Sequence, residues 1–321
     1  MVQNEKDLRG QLQKVMQEME QHFIGHPKVM KQVLGAFLSG GHVLIEDIPG
    51  VGKTTLVKTV ARYLETNFQR VQFTPDILPS DLIGVSIYHQ GEQSFQFKKG
   101  PIFTQLLMAD EINRASPKTQ SSLLEAMEEK QVTIDGHTYP LSDLFMVIAT
   151  QNPIEFEGTF PLPEAQMDRF MIQVSLGYPT KEQEVAIYKK ETHIAPLMTD
   201  IFLSEEVVKN LKKAIELVNV SDLIYDYVQR LVEKSRKHES LYYGLSPRAG
   251  IAMVKMAKFE AFMDERTYVI PEDIKAVAPC VMKHRLILKP EALYKEQTAE
   301  RTIEEILNWV IVPKGSFDHG L

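Results

Sequence analysis

A glycine-rich segment near the start of the chain constrains the fold more than any other feature of the sequence. Residues 47–55 read Asp-Ile-Pro-Gly-Val-Gly-Lys-Thr-Thr, with the apolar run 43–45 before them and a helical pattern of Leu56, Val60 and Leu64 after them. An apolar strand, a glycine turn ending in Gly-Lys-Thr and a helix form the context that a phosphate-binding loop requires. The sequence therefore predicts an α/β domain with such a loop. The alternative is a strand-to-helix turn that contains Lys-Thr by chance.

The residue types of this loop suit a nucleoside triphosphate. Gly50 and Gly52 let the backbone N–H groups come close to phosphate oxygens, and the helix that follows points its positive end at them. Lys53 is predicted to reach the β- and γ-phosphates, and the Thr54 hydroxyl to coordinate Mg²⁺. The predicted phosphate-loop residues are Pro49, Gly50, Val51, Gly52, Lys53, Thr54 and Thr55.

Asp47 departs from the pattern G-x-x-x-x-G-K-T, which has glycine at this position. An acidic side chain close to a triphosphate is electrostatically unfavourable. We therefore expect Asp47 to point away from the phosphates or to be held by a cation.

Charge and cysteine content limit the classes of partner and compartment. The chain has 36 basic and 43 acidic residues in 321, a formal net charge of −7, so no global field favours nucleic acid or an anionic membrane. Its one cysteine, Cys280, excludes an intrachain disulfide and a cysteine-rich metal site. We find no apolar run of membrane-spanning length and no signal-peptide pattern, and we expect a cytoplasmic protein.

A second apolar run ends in two carboxylates. Residues 106–109 read as a buried strand, and Asp110 and Glu111 follow it directly. Ligands of an α/β sheet bind at this end of the strands. Asp110 is predicted to hold Mg²⁺, directly or through water, and Glu111 to orient and polarise an attacking water. The alternative is an ordinary solvated strand end.

A third apolar run, residues 145–150, leads to Gln151, Asn152 and Pro153. The Asn152 amide could contact both the attacking water and the γ-phosphate. It could equally be a turn former in front of proline.

Two hairpins interrupt this pattern of strands and helices. One is predicted around Gly91 within the irregular stretch 74–101, and the other around the Asp135-Gly136 turn, a strong two-residue hairpin signal. We expect the first to be a binding or oligomer-contact loop.

The second half of the chain is predicted to be helical. Residues 177–179, Gly-Tyr-Pro, break the pattern after a strand at 171–174, and helical periodicity dominates beyond them. We place a nucleotide-binding α/β domain at residues 1–178 and a lid domain at 179–321. Arg248 follows Ser246-Pro247 and so lies in the first turn of a helix.

Several of these strings together resemble the MoxR family of AAA+ ATPases, over nearly the whole chain. The strings are Gly41–Glu46 with Pro49–Thr54, the run Ala109–Ala115, the run Ala149–Pro153, residues 157–170 (Glu-Gly-Thr-Phe-Pro-Leu-Pro-Glu-Ala-Gln-Met-Asp-Arg-Phe), and Leu245–Arg248.

The resemblance implies a P-loop AAA+ core with a parallel sheet and hairpin insertions, followed by a smaller all-helical lid. It implies ATP and Mg²⁺ as ligands and gives roles to three residues: Asn152 as sensor 1, Arg169 as an arginine finger for a neighbouring subunit, and Arg248 as the sensor-2 arginine of the lid. Departures are Asp47 and also His26, which stands where members often carry glutamine near the adenine.

We expect Arg169 to act on a neighbour because its own nucleotide is already served by Lys53, Asn152 and Arg248 from within the chain. Arg114 is a second candidate for this role, and a plain surface salt bridge at Arg169 is the alternative. The predicted catalytic set consists of Lys53, Glu111, Asn152, Arg169 and Arg248.

The family resemblance implies a ring, most simply a homohexamer, that remodels or matures client protein complexes, often with a partner that carries a von Willebrand factor A domain. A magnesium-chelatase-like motor subunit and a nucleic-acid-dependent motor are alternatives. The chain lacks a DNA-binding motif and a basic stripe, and no nucleic acid is expected. A scaffold that binds ATP without hydrolysis would have no use for Glu111, Asn152 and Arg169.

Overall fold

The computed structural model describes residues 5–153, 158–192, 201–315 and 317; Glu157, in one of the strings quoted above, lies outside them. The helices are α1 (Glu5–His22), α2 (Pro27–Leu38), α3 (Lys53–Tyr63), α4 (Pro79–Ile83), α5 (Pro117–Glu129), α6 (Glu164–Met167), α7 (Lys181–Thr192), α8 (Glu205–Glu216), α9 (Asp222–Arg236), α10 (Pro247–Met263), α11 (Pro271–Met282), α12 (Pro290–Tyr294) and α13 (Ala299–Trp309). The strands are β1 (Val43–Glu46), β2 (Phe68–Gln72), β3 (Gly84–His89), β4 (Ser94–Lys99), β5 (Leu106–Asp110), β6 (Gln131–Ile134), β7 (His137–Pro140), β8 (Met146–Gln151), β9 (Ile172–Val174), β10 (Leu241–Tyr243) and β11 (Ile287–Leu288). Short 3₁₀ turns cover Ile112–Arg114 and Lys283–Arg285.

Five strands form one parallel sheet in the order β2-β5-β8-β1-β9, which confirms the predicted α/β core. β1, β5 and β8 are nearly continuous apolar runs because helices cover both faces of the sheet. The register is direct: Ile45 pairs with Thr150 on one side and with Val174 on the other. All carboxyl ends of the strands therefore meet at one edge, which we call the carboxyl edge, and the other is the amino edge.

The two faces of the sheet belong to separate hydrophobic clusters, as the alternation of side chains along a strand requires. Val43 and Ile45 pack in the cluster that includes α1, α2, α3 and the C-terminal helices. Leu44, between them, packs in the cluster that includes Leu123 and Leu124 of α5. The result is a layer of helices on each face of the sheet.

Both predicted hairpins are present. β3 pairs with β4, and β6 pairs with β7 through the Asp135-Gly136 turn, whose two residues both have positive φ as the tight turn requires. The Ser86 hydroxyl donates a 2.6 Å hydrogen bond to Asp135, which joins the two hairpins.

The C-terminal region is helical, as predicted, with one addition. β10 and β11 form a short antiparallel pair that the sequence analysis missed, because three- and two-residue strands carry no readable periodicity. α10 packs on α2, α11 packs on β9, and α8 packs on α1. The boundary after residue 178 stays a prediction, since all three of these contacts cross it. None of the helices in the described ranges combines the length and the hydropathy of a transmembrane span.

Candidate nucleotide site

The phosphate loop joins β1 to α3 at the carboxyl edge. Gly50 and Gly52 have φ of 83° and 92°, conformations that side-chain-bearing residues rarely adopt. Within the described chain no atom lies within 4 Å of the position a Gly50 Cβ would take, so an anion has room there. Gly52 caps α3, and Thr54 and Thr55 lie in its first turn, where backbone N–H groups face outward.

Lys53 and Asp47 are in contact at the base of this loop. The Lys53 Nζ donates a 2.7 Å hydrogen bond to the Asp47 carbonyl oxygen. The Asp47 carboxylate points away from the loop and accepts hydrogen bonds from residues after β9, including Gly177 N at 2.9 Å. Of the two orientations that the sequence left open, the structure shows this one.

Asp110 is held by the two strands that flank β5. Its Oδ2 accepts hydrogen bonds from Arg70 Nε at 3.1 Å and Nη2 at 2.6 Å, and Arg70 lies on β2. Its Oδ1 accepts a 2.5 Å hydrogen bond from the Thr150 hydroxyl on β8. The same hydroxyl accepts the Glu111 N–H at 2.9 Å, so Thr150 fixes both acidic residues.

The Glu111 side chain has two partners of its own. Glu111 Oε2 accepts hydrogen bonds from Gln72 Nε2 at 2.8 Å and from Arg114 Nη1 at 3.0 Å. Glu111 itself has φ of 57°, in the left-handed region. Such a backbone costs free energy, and conformations of this kind cluster at functional sites.

Asn152 lies beside the phosphate loop. It follows β8 directly and is buried, with 6% of its surface exposed. Asp47 N donates to the Gln151 carbonyl at 3.2 Å, so β8 still runs alongside the chain where the loop begins. The structure thus brings Asn152, Lys53, Asp110 and Glu111 to one edge.

His26 lies at the start of α2, three residues after a side chain that packs near the phosphate loop. It caps α2 with φ of 58°, and its Nε2 is buried and has no hydrogen-bond partner among the described residues. Phe23, three residues earlier, lies 3.6 Å from the position a Gly52 Cβ would take. A buried ring nitrogen without a protein partner fits a ligand with its own polar ring atoms.

Arg169 and Arg248 lie at the amino edge, away from the phosphate loop. Met171 N, just before β9, bonds to the His42 carbonyl at 2.8 Å, at the start of β1. The loop begins after the end of β1, roughly 13 Å farther along the strands. A cavity of about 310 Å³ at the amino edge is lined by Arg169, Arg248 and Glu128.

Glu128, near the end of α5, binds both arginines. Its Oε2 lies 3.0 Å from Arg169 Nη2, and its Oε1 pairs with Arg248 Nη2. The expectation that Arg248 serves the nucleotide of its own chain does not fit this arrangement. Since α10 packs on α2 and begins beside Arg169, its first turn faces the amino edge rather than the phosphate loop.

Lid residues also fix the backbone around Arg169. Arg285 has a side chain that is only 3% exposed, and its Nε donates to Asp168 Oδ1 at 2.7 Å. Its Nη2 donates to the Phe170 carbonyl at 2.6 Å. Ser246, which caps α10, donates its hydroxyl to Asp168 Oδ2 at 2.8 Å. These contacts hold Arg169 and Arg248 side by side.

Several of these partners were missed by sequence reasoning. Arg70 and Gln72 are two residues apart on β2, so their side chains lie on the same face of the strand. This spacing is a signal from which their meeting at the carboxyl edge could have been predicted. Glu128 and Arg285 carry no local signal, because their roles depend on how distant helices pack.

Comparison with known proteins gives concordant matches for both parts of the chain. Residues 42–172 match the profile of the ATPase family associated with various cellular activities (AAA). Residues 233–306 match that of the AAA lid domain.

Whole-chain relatives are similar over most of their length. The chain is 44% identical to the uncharacterized protein YeaC of Bacillus subtilis over 96% of this chain and 97% of that one. It is 40% identical to Chaperone MoxR1 of Mycobacterium tuberculosis over 94% and 82% of the two chains, respectively. A crystal structure of a Cytophaga hutchinsonii protein described as an ATPase superposes with a TM-score of 0.90 at 40% identity, covering 97% of each chain.

Proposed function

Because the chain belongs to the MoxR family of AAA+ ATPases, we propose that it hydrolyses ATP and that two neighbouring subunits of a ring share each active site. One observation carries the proposal. Lys53, Asp110 and Glu111 lie at the carboxyl edge of the sheet, whereas Arg169 and Arg248 lie together at the amino edge.

The carboxyl edge holds the nucleotide in this proposal. The backbone N–H groups around Gly50 and Gly52 and the Lys53 ammonium bind phosphate oxygens, and the orphaned His26 nitrogen faces the base. Thr54 and Asp110 would hold Mg²⁺. When bound, Mg²⁺ neutralises charge on the phosphate oxygens. Both Asp110 oxygens already accept hydrogen bonds, so we favour contact through water.

Glu111 and Asn152 act on the attacking water. Glu111 provides the carboxylate that orients the water and accepts its proton, and Asn152 provides an amide between the water and the γ-phosphate. Gln72 and Arg114 hold Glu111 by hydrogen bonds. Arg114 lies directly after β5, at the carboxyl edge and against Glu111 of its own chain, so it is the weaker candidate for the arginine supplied to a neighbour.

The two arginines at the amino edge supply positive charge to the neighbour's γ-phosphate. Arg169 Nε is buried and donates to no partner among the described residues, so the guanidinium has an N–H left to donate in an assembled ring. Glu128 has to release both arginines for this contact. An arginine supplied in trans contributes on the order of 10³ to 10⁵ in turnover.

We further propose a chaperone-like role in a cytoplasmic homohexamer that acts on client protein complexes, with a von Willebrand factor A domain protein as partner. A relative 40% identical carries the name Chaperone MoxR1, which supports the role. The β3–β4 hairpin offers a contact surface, because Ile87, Tyr88 and Phe95 are exposed on it.

Two substitutions test the nucleotide chemistry. Lys53→Ala should lose ATP binding, since Lys53 contacts phosphate in the ground state. Glu111→Gln should keep binding and lose hydrolysis, since Glu111 acts only on the water. Equilibrium binding and phosphate release of both variants decide between these outcomes. If Glu111→Gln hydrolyses ATP at the parent's rate, Glu111 does not orient the attacking water.

A further inference from the structure

The Asp47 carboxylate is buried beside the phosphate loop and collects four hydrogen-bond donors. Asp47 has 6% of its surface exposed. Its Oδ1 accepts from Ile48 N at 3.2 Å. Its Oδ2 accepts from the Ser175 hydroxyl at 3.1 Å, from Gly177 N at 2.9 Å and from Leu176 N. Hydrogen bonds to an ionised acceptor in a buried position are among the stronger ones in proteins.

Three of the four donors belong to the segment by which the chain leaves the sheet. β9 ends at Val174, and α7 begins at Lys181. We call residues 175–180 the exit segment. It is the chain connection from the parallel sheet to the C-terminal helices. Gly177 makes its turn with a positive φ of 64°.

The backbone of Asp47 contacts Lys53 and the end of the strand that leads to Asn152. Its carbonyl accepts the Lys53 ammonium at 2.7 Å, and its N–H donates to the Gln151 carbonyl, next to Asn152. One residue therefore contacts the lysine that would hold the phosphates and the segment that leads to the lid. When Lys53 moves to a phosphate, Asp47 loses a donor on its carbonyl.

Glycine, the residue that the phosphate-loop pattern has at this position, could not make these contacts. It would leave the buried Leu176 N–H, and with it the more exposed Gly177 N–H and Ser175 hydroxyl, without this acceptor, and buried N–H groups are seldom left unpaired. The acidic residue is therefore explained by the exit segment and not by the nucleotide.

We propose that Asp47 is a positioning residue that fastens the phosphate loop to the exit segment, so that affinity for a nucleoside triphosphate depends on residues outside the nucleotide site. This inference rests on the nucleotide binding proposed above. A change in the exit segment is therefore expected to weaken nucleotide binding through Asp47. The same change is expected to have no effect on binding in a variant that lacks the Asp47 carboxylate.

The test uses the full chain and a fluorescent ATP analogue at equilibrium with Mg²⁺. Ser175→Ala removes one donor to Asp47 without altering the phosphate loop, and Kd should rise about 3- to 10-fold. Asp47→Asn should raise Kd by about tenfold or more, because an amide offers one acceptor where a carboxylate offers two. The double variant Asp47→Ala/Ser175→Ala should bind no more weakly than Asp47→Ala alone, because alanine leaves no side-chain acceptor for the Ser175 hydroxyl. Ser142→Ala, whose hydroxyl accepts Leu144 N in the loop before β8, is the matched control and should bind like the parent.

Parent-like binding by Ser175→Ala would overturn the inference even if Asp47→Asn fails to fold. Multiplied effects in the double variant would also overturn it, since Ser175 would then act independently of Asp47. If the parent itself binds no analogue, the proposed function fails first and the inference fails with it.

Discussion

The Thr150 hydroxyl contacts both acidic residues at the end of β5. It donates to Asp110 and accepts the Glu111 N–H, so one oxygen couples the carboxylate that we propose to hold Mg²⁺ to the residue that we propose to orient the water. Thr150 is fully buried on β8, where no water can replace it.

Thr150→Val should reduce turnover about tenfold or more while changing ATP affinity less than about threefold, because the isosteric change misplaces Asp110 and Glu111 and leaves Lys53 untouched. Steady-state phosphate release and analogue binding measure the two effects. Thr133→Val is the control, since Thr133 pairs with Thr138 on the exposed β6–β7 hairpin. Equal turnover in both variants would contradict the assignment.

His42 connects α5 to the amino edge as a neutral imidazole. Its Nδ1 accepts Val147 N at 2.9 Å, so the proton is on Nε2, which donates to the Met127 carbonyl at 3.2 Å. Burial lowers the pKa of His42 from 6.5 to about 4. Burial also lowers the pKa of His284, which bonds to the Phe170 carbonyl beside Arg169.

These histidines predict a loss of stability in mild acid. In the unfolded chain the His42 imidazole binds a proton near pH 6.5, whereas in the folded protein it stays neutral down to about pH 4. The contribution of His42 to folding stability is therefore complete above about pH 6.5 and is lost as pH falls toward 4. The loss reaches roughly 3 kcal/mol near pH 4. Urea unfolding at about pH 7.5 and about pH 5 should show a smaller difference for His42→Gln than for the parent. His137→Gln, on the exposed hairpin, should keep the parent's difference; a His42→Gln difference equal to the parent's would refute the prediction.

At the scale of helices and strands, local patterns predicted the elements, and tertiary packing decided which residues meet. The phosphate loop, the runs that became β5 and β8, and the Asp135-Gly136 hairpin each carry a complete local signal. The first turn of α10 was also predicted correctly. The direction in which this turn faces was not predicted correctly, because only the packing of α10 on α2 determines that Arg248 faces the amino edge.

Arg285 is where the C-terminal helices hold the Arg169 segment. Arg285→Ala leaves Asp168 without its buried cationic partner and takes one of two donors from the Phe170 carbonyl, and it should cost about 3 to 5 kcal/mol of unfolding free energy. Lys283→Ala, two residues away, removes an exposed pair with Glu300 and should cost less than about 1 kcal/mol. Chemical denaturation measures both. Similar losses of unfolding free energy in the two variants would mean that Arg285 does not hold the Arg169 segment in place.

At the scale of the whole molecule, the two functional edges face in opposite directions. Lys53 and its neighbours lie at the carboxyl edge, and the arginine pair held by Glu128 lies at the amino edge. A single chain therefore cannot bring both groups to one nucleotide, whereas a closed head-to-tail ring brings every carboxyl edge to the amino edge of the next subunit.

Subunit mixing tests this shared site most directly. Each variant is expected to be inactive alone, because Arg169→Ala lacks the arginine and Lys53→Ala lacks the phosphate-binding lysine. Arg169→Ala still retains an intact phosphate loop, and Lys53→Ala still retains an intact Arg169. In a ring assembled from equal amounts of the two, about one site in four pairs a good loop with a good arginine. The account predicts recovery of about a quarter of parental ATP turnover, and the same recovery when Arg248→Ala replaces Arg169→Ala. A mixture as inactive as its components, with mixed rings verified by mass, would contradict it.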